Sequence, residues 1–111
     1  MNQEIKIICS SISAILLKKE NNLTKILMLK RTGHKAENEW CQVAGGIENE
    51  EMAFEAALRE IYEETGIKPN QFYSTDYCEQ YYQADNNCIR VVPVFVGYIT
   101  NNEQVIINIK F

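Results

Sequence analysis

Residues 45 to 67 read Gly45-Gly46-Ile47-Glu48-Asn49-Glu50-Glu51-Met52-Ala53-Phe54-Glu55-Ala56-Ala57-Leu58-Arg59-Glu60-Ile61-Tyr62-Glu63-Glu64-Thr65-Gly66-Ile67. Two glycines run into a segment with helical periodicity and many glutamates. Phe54, Ala57, Leu58 and Ile61 recur at i, i+3, i+4 and i+7, the spacing of an apolar stripe on an amphipathic helix. Gly66 supplies a stop, Ile67 a hydrophobic partner for a glycine C-cap, and Pro69 blocks an early restart. The pattern predicts a helix from about Glu50 to Thr65. On that helix Glu60 neighbours both Glu63 and Glu64, and Arg59 neighbours Glu63.

Three carboxylates on one patch need a reason. Like charges at i+3 and i+4 cost a helix roughly 0.2–0.5 kcal/mol per pair, and the helix dipole disfavours anions near its C-terminal end. Local stability therefore does not account for Glu60, Glu63 and Glu64. A solvated acidic face is the bland reading of such a cluster. A hard divalent cation is the functional one, because Mg²⁺ takes oxygen ligands in an octahedron and completes its shell with water and substrate phosphate.

Spacing separates the two. Glycine, five residues, glutamate, seven residues, then Arg-Glu-aliphatic-any-Glu-Glu-any-Gly-aliphatic is met at all nine specified positions by Gly45, Glu51, Arg59, Glu60, Ile61, Glu63, Glu64, Gly66 and Ile67. This stretch resembles the Nudix box, the signature of hydrolases acting on nucleoside diphosphates linked to another moiety. The resemblance implies an α/β/α sandwich with a mixed sheet and the box as loop-helix-loop. It also implies a catalytic set of Arg59, Glu60, Glu63 and Glu64, with Mg²⁺ or Mn²⁺ held by the three glutamates and by the Ala44 carbonyl. Gly45 and Glu51 are then supporting residues. A ligating carboxylate needs a partner that fixes its rotamer, and the two-donor fork of Arg59 suits that task better than a lysine. The general base stays open between a box glutamate and one from a later loop.

The rest of the chain supplies the scaffold. Its 111 residues are expected to make one domain, 1–111. A net charge of −4 argues against a general nucleic-acid surface and suits a small, nucleotide-like substrate recruited through metal ions. Cys9, Cys41, Cys78 and Cys88 form no CxxC pair and are expected to be buried or idle thiols in a reducing compartment. The N-terminal residues lack a basic leader, and no apolar run reaches membrane-spanning length, so a cytoplasmic protein without membrane attachment is expected.

Ile5 to Leu17 reads as a strand, Lys18 to Asn22 as a turn and Lys25 to Lys30 as the second strand of a hairpin. Residues 31 to 39 read as a polar loop before Trp40–Ala44. After the helix, Phe72 to Gln83, Cys88 to Thr100 and Val105 to Ile109 read as strands, with Pro93 marking an edge or bulge. Candidate substrate contacts are Arg31, Trp40 and Tyr81. Trp40 is open between base stacking and core anchoring, and the alternating Tyr81 and Tyr82 divide between lining a pocket and packing. His34 is expected to be exposed and inert.

Trp40 to Gly46, Glu79 to Tyr82 and Val92 to Val96 loosely resemble the dATP and dihydroneopterin triphosphate pyrophosphohydrolases. In that subgroup an acidic segment, an aromatic strand and a C-terminal helix follow the position of Asn108. Here the sequence ends Ile109-Lys110-Phe111, so the helix is expected to be missing and apolar sheet surface to be exposed unless a homodimer or an altered edge covers it. Glu103 is the acid left in that neighbourhood. Two function classes follow: a metal-dependent pyrophosphohydrolase, or a shortened Nudix-like domain that binds metal, nucleotide or a protein partner without useful turnover.

Overall fold

The computed structural model describes residues 4–30, 39–99 and 109–110. In chain order the elements are β1 (Lys6–Ile8), β2 (Ser11–Glu20), β3 (Leu23–Ile26), β4 (Met28–Lys30), β5 (Trp40–Cys41), β6 (Val43–Gly46), α1 (Ala53–Thr65), β7 (Gln71–Gln83), a 3₁₀ turn (Ala84–Asn86), β8 (Cys88–Ile99) and β9 (Ile109–Lys110). A six-stranded mixed sheet runs β1-β8-β2-β3, with β6 on β2 and β7 on β8, and β5-β4-β9 form a smaller sheet. Among the described residues α1 is the one α-helix, and no helix is long and apolar enough to cross a membrane.

β2 is the spine. Ile12, Ala14 and Leu16 alternate onto the helix side, where they meet Val43 of β6, Phe95 and Ile99 of β8, and Ala56, Ala57 and Ile61 of α1. Full burial of a side chain such as Ile61 contributes about 1.5–3 kcal/mol. The helix turns a different face inward than its large apolar residues predict. Ala56, Ala57, Ile61 and Thr65 are buried, whereas Phe54 and Leu58 are 45% and 36% exposed. Alanines at 53, 56 and 57 let the helix lie close to β2 and β6, and that approach carries Glu60 and Glu64 toward the sheet.

The helix begins at Ala53, not Glu50. Glu50 is left-handed (φ 66°) in a tight turn closed by Glu51 N–H to the Glu48 carbonyl (3.1 Å), which leaves Glu51 outside the helix. At the other end Gly66 adopts φ 74° and donates to the Tyr62 carbonyl at 2.8 Å, the expected left-handed cap.

The first strand run splits in two. β1 and β2 both pair in parallel with β8, but Ile8 faces Arg90 while Ser13 faces Val94, so the first chain carries one extra residue between these pairs. Pro93 lies in that gap, and its other neighbour β7 has an irregularity between Ser74 and Tyr77 beside it. A residue without an N–H cannot extend both ladders, as expected for a proline in a strand. A β2–β3 hairpin forms with its turn confined to Asn21 and Asn22, both left-handed, while Lys18 to Glu20 stay in the strand. The second strand read as Lys25 to Lys30 is divided: β3 starts at Leu23 and ends at Ile26, and Met28–Lys30 is β4 of the smaller sheet.

Tyr73, Tyr77, Tyr81 and Tyr98 are exposed on the sheet face away from α1. Tyr82 is 55% exposed, so neither it nor Tyr81 packs in the core. The four cysteines are free; Cys88 is buried, Cys41 half-buried, and Cys9 and Cys78 are exposed. His34, Glu103 and residues 105–108 of the last predicted strand lie outside the described residues.

Candidate active site

The site is built where β6 turns into α1. The Ser10 carbonyl accepts the Ile47 N–H at 2.9 Å and extends the β2–β6 ladder, in which Ser11 faces Gly46 and Ser13 faces Ala44. Bonded and non-bonded pairs alternate in an antiparallel ladder, so the carbonyls of Ala44 and Gly46 point away from β2. No other described strand pairs with β6, which leaves that edge open to side chains from α1.

Arg59 takes the Gly46 carbonyl, Nη2 to O 2.8 Å. The same guanidinium grips Glu51 as a fork, Nε to Oε2 at 2.8 Å and Nη2 to Oε1 at 3.0 Å, and Glu51 Oε1 also accepts the Glu48 N–H at 2.9 Å. Nη1 donates to Glu60 at 2.9 Å and to Glu63 at 3.1 Å, and Glu48 lies 3.4 Å from Nε. Hydrogen bonds from Arg59 hold the Glu51 carboxyl below its usual range, with the Glu48 N–H adding to the effect. The Arg59 pKa is raised in turn, chiefly by Glu51.

Glu60 passes directly over Gly45. A Cβ on that glycine would overlap the Glu60 Cδ and Oε2, so a side chain at position 45 and the Glu60 carboxylate cannot share the space. Glu64 lies deeper. Its Oε2 is buried with no hydrogen-bond partner, and burial, reinforced by Glu60 and then Glu63, pushes its pKa up to about 8. A buried acceptor without a donor costs about 1–3 kcal/mol, the kind of debt a ligand settles.

Hard oxygen donors, an unpartnered buried carboxylate oxygen and a glycine cradle fit a divalent cation. Among the described residues, however, no three Asp, Glu, His or Cys side chains converge as a ready-made cage. The reason is visible in the contacts: Glu60 and Glu63 are turned onto Arg59.

Of the residues singled out by sequence, Gly45, Glu51, Arg59, Glu60 and Glu63 are thus brought together, with Ala44 beside them and Glu64 beneath. Trp40 is elsewhere, in the small sheet, 42% exposed with the Lys30 ammonium 6.0 Å from its ring, and it is not a core anchor. Tyr81 is on β7 in register with Arg90. Arg31 lies outside the described residues. Arg90 itself was not singled out. Its Nη1 donates to Ser10 Oγ (3.1 Å), one residue before β2, the strand that pairs with the glycine-bearing β6. The available signal was its place as the lone charge in the run Cys88–Ile99.

A model of the NUDIX domain matches residues 9–107, and the chain belongs to the Nudix hydrolase family. No curated protein matches it. Among solved structures, the fold is similar to a MutT/nudix family protein from Enterococcus faecalis (TM-score 0.76, 19% identity, 99% of this chain and 44% of that one). It is also similar to the Caenorhabditis elegans Ap4A hydrolase (0.66, 19%, 96% and 79%). Shewanella oneidensis NrtR is a third, its NUDIX domain complexed with ADP ribose (0.70, 16%, 98% and 71%) and the protein complexed with a 27mer DNA (0.63, 19%, 79% and 41%). The chain thus spans less than half of the Enterococcus protein.

Proposed function

We propose that the protein hydrolyses a pyrophosphate linkage in a nucleoside triphosphate or a related nucleoside-diphosphate compound, using Mg²⁺ or Mn²⁺. The observation that carries this reading is the buried, unpartnered Glu64 Oε2 beside Glu60, which is seated over Gly45. Glu60, Glu63, Glu64 and the Ala44 carbonyl would hold the ion. When bound, it neutralises non-bridging phosphate oxygens and makes water more acidic.

The chain's own residues do the rest. Arg59, anchored to Glu51 and the Gly46 carbonyl, fixes the position from which Glu60 and Glu63 turn to ligate. Gly45 keeps the approach to the β6 edge free of side chains. Glu64, burdened by burial and by two neighbouring carboxylates, gains most from a cation and gives up its proton when one binds. A box glutamate released from Arg59 is suited to take the proton of the attacking water, a role worth about 10²–10⁴ in rate. Kinship with proteins described as an Ap4A hydrolase and as an ADP-ribose complex supports a nucleotide-like substrate.

The second reading, a domain that binds metal, nucleotide or a partner without turnover, draws on one observation: Glu60 and Glu63 are engaged by Arg59 and not gathered around a point. A panel of dNTPs, dihydroneopterin triphosphate, ADP-ribose and dinucleoside polyphosphates, assayed for released phosphate and pyrophosphate with and without Mg²⁺, separates the two. Mg²⁺-dependent release supports the hydrolase. A folded, Mg²⁺-binding protein inert on every compound overturns it.

A further inference from the structure

Arg90 differs from Arg59, whose donors are taken by box carboxylates. Its Nε donates to Gln83 Oε1 (3.1 Å) and its Nη1 to Ser10 Oγ (3.1 Å), both uncharged. Its Nη2 has no hydrogen-bond partner among the described residues. No described carboxylate forms an ion pair with it, and Glu79, which shares its sheet face two positions along β7, does not reach it. In a chain of net charge −4, a half-buried guanidinium without an acid is unusual, since buried and half-buried charges are normally paired.

Its setting is ordered by the box. Ser10, which holds one end of the guanidinium, accepts the Ile47 N–H through its own carbonyl, so Arg90 is tied to the residue that follows Gly46. Gln83 holds the other end and is itself braced by Asn86 Nδ2 (2.9 Å). Two neutral acceptors thus orient the guanidinium while leaving its charge uncompensated and one nitrogen open. An arginine so prepared is suited to bind a phosphate. Two neighbours strengthen the case. Lys6 and Tyr81 share its sheet face, the one away from α1, since Lys6 faces Cys88 and Ile8 faces Arg90 in the parallel ladder and Tyr81 stands directly opposite Arg90 on β7. A substrate that reaches both Arg90 and the box therefore passes over the sheet toward the β6 edge, which no other described strand covers. β8 lies two strand spacings from β6, about 10 Å.

We infer that Arg90, oriented by Gln83 and Ser10, binds the phosphates of a substrate whose anionic chain extends beyond the linkage cleaved at the box, favouring triphosphates over compounds with a single diphosphate. This rests on the reading of the box as a diphosphate site. Arg90 is a substrate-binding residue in this scheme, and its loss affects KM and not kcat.

The test compares wild type with Arg90→Gln and Arg90→Lys, their folds checked by circular dichroism, on a nucleoside triphosphate and on ADP-ribose. Arg90→Gln is expected to raise KM for the triphosphate about 10- to 100-fold, the loss of one charge-assisted contact. The KM for ADP-ribose should change far less, kcat should hold on both, and Arg90→Lys should fall between. A triphosphate KM unchanged in both variants, or raised equally for both substrates, overturns the inference. A second arm needs no turnover: binding of inorganic triphosphate in EDTA, measured calorimetrically. Wild type and Glu64→Gln should bind alike and Arg90→Gln should lose binding at least 10-fold; equal binding by wild type and Arg90→Gln overturns the inference. A wild type that binds triphosphate through Arg90 yet hydrolyses nothing would instead defeat the hydrolase reading alone.

Discussion

Two arginines lie near the glycine segment, Arg59 on the α1 side of the sheet and Arg90 on the opposite face, and the fold treats them in opposite ways. Arg59, on α1, faces Glu48, Glu51, Glu60 and Glu63 and also caps the Gly46 carbonyl, so its donors are occupied from inside the molecule. Arg90, on β8, is held by a serine and a glutamine and pairs with none of the described acids. A guanidinium surrounded by carboxylates is suited to positioning them, and the four carboxylates of Glu48, Glu51, Glu60 and Glu63 against one arginine leave net negative charge for a cation to offset. A guanidinium held only by neutral groups keeps its charge for an outside anion. In the proposed reading one region serves metal and the other phosphate, and a nucleotide polyphosphate carries the complement of both.

The largest expected effect comes from the metal side. Glu64→Gln should lower Mg²⁺-dependent turnover by more than about 100-fold, beyond what loss of a supporting residue does, while the metal-free fold is kept or improved; steady-state kinetics and thermal melting check this together. Arg59→Lys should lower turnover by about 10- to 100-fold with α1 intact, since a lysine cannot fork onto Glu51 and reach Glu60 together. Unchanged kinetics would remove Arg59 from its positioning role. Gly45→Ala should act more narrowly. The added Cβ displaces the Glu60 carboxylate, so activity should fall with little change in melting temperature. A large loss of stability instead would mean the glycine serves the backbone and not the carboxylate.

The smallest effect is a pH dependence. Glu64 has a pKa raised to about 8 against an ordinary value of 4.5, so the folded state binds its proton more tightly than the unfolded state does. Its contribution is present in full below about pH 4.5 and is lost as pH rises through about 8. Metal-free protein should therefore melt at lower temperature at pH 8 than at pH 5, and Glu64→Gln should flatten that slope. Glu51 and Glu20, whose pKa values are lowered by Arg59 and Lys25, act with the opposite sign, and their contribution is lost as pH falls through the acid range. A wild-type profile matching that of Glu64→Gln would contradict the buried setting of this carboxyl.

Much of the box was legible from spacing because helical geometry fixes which side chains meet: Arg59 with Glu63, and Gly66 as the cap, follow from local rules. The face of the helix did not follow. Phe54 and Leu58 are larger than Ala56 and Ala57, but small residues permit the close approach to β2 and β6, and only tertiary packing decides between the two stripes. The start of α1 depended on Glu51 being held by Arg59 from two turns away, and Arg90 reaches Ser10 across eighty residues of sequence. Local pattern reading does not register contacts at that separation.

The central claim is that the box carboxylates hold a divalent cation. Calorimetric titration of Mg²⁺ into wild type, Glu64→Gln and Arg90→Gln tests it most directly. Wild type and Arg90→Gln should bind Mg²⁺ alike, and Glu64→Gln should bind at least about 10-fold more weakly. Equal binding by wild type and Glu64→Gln would contradict the account.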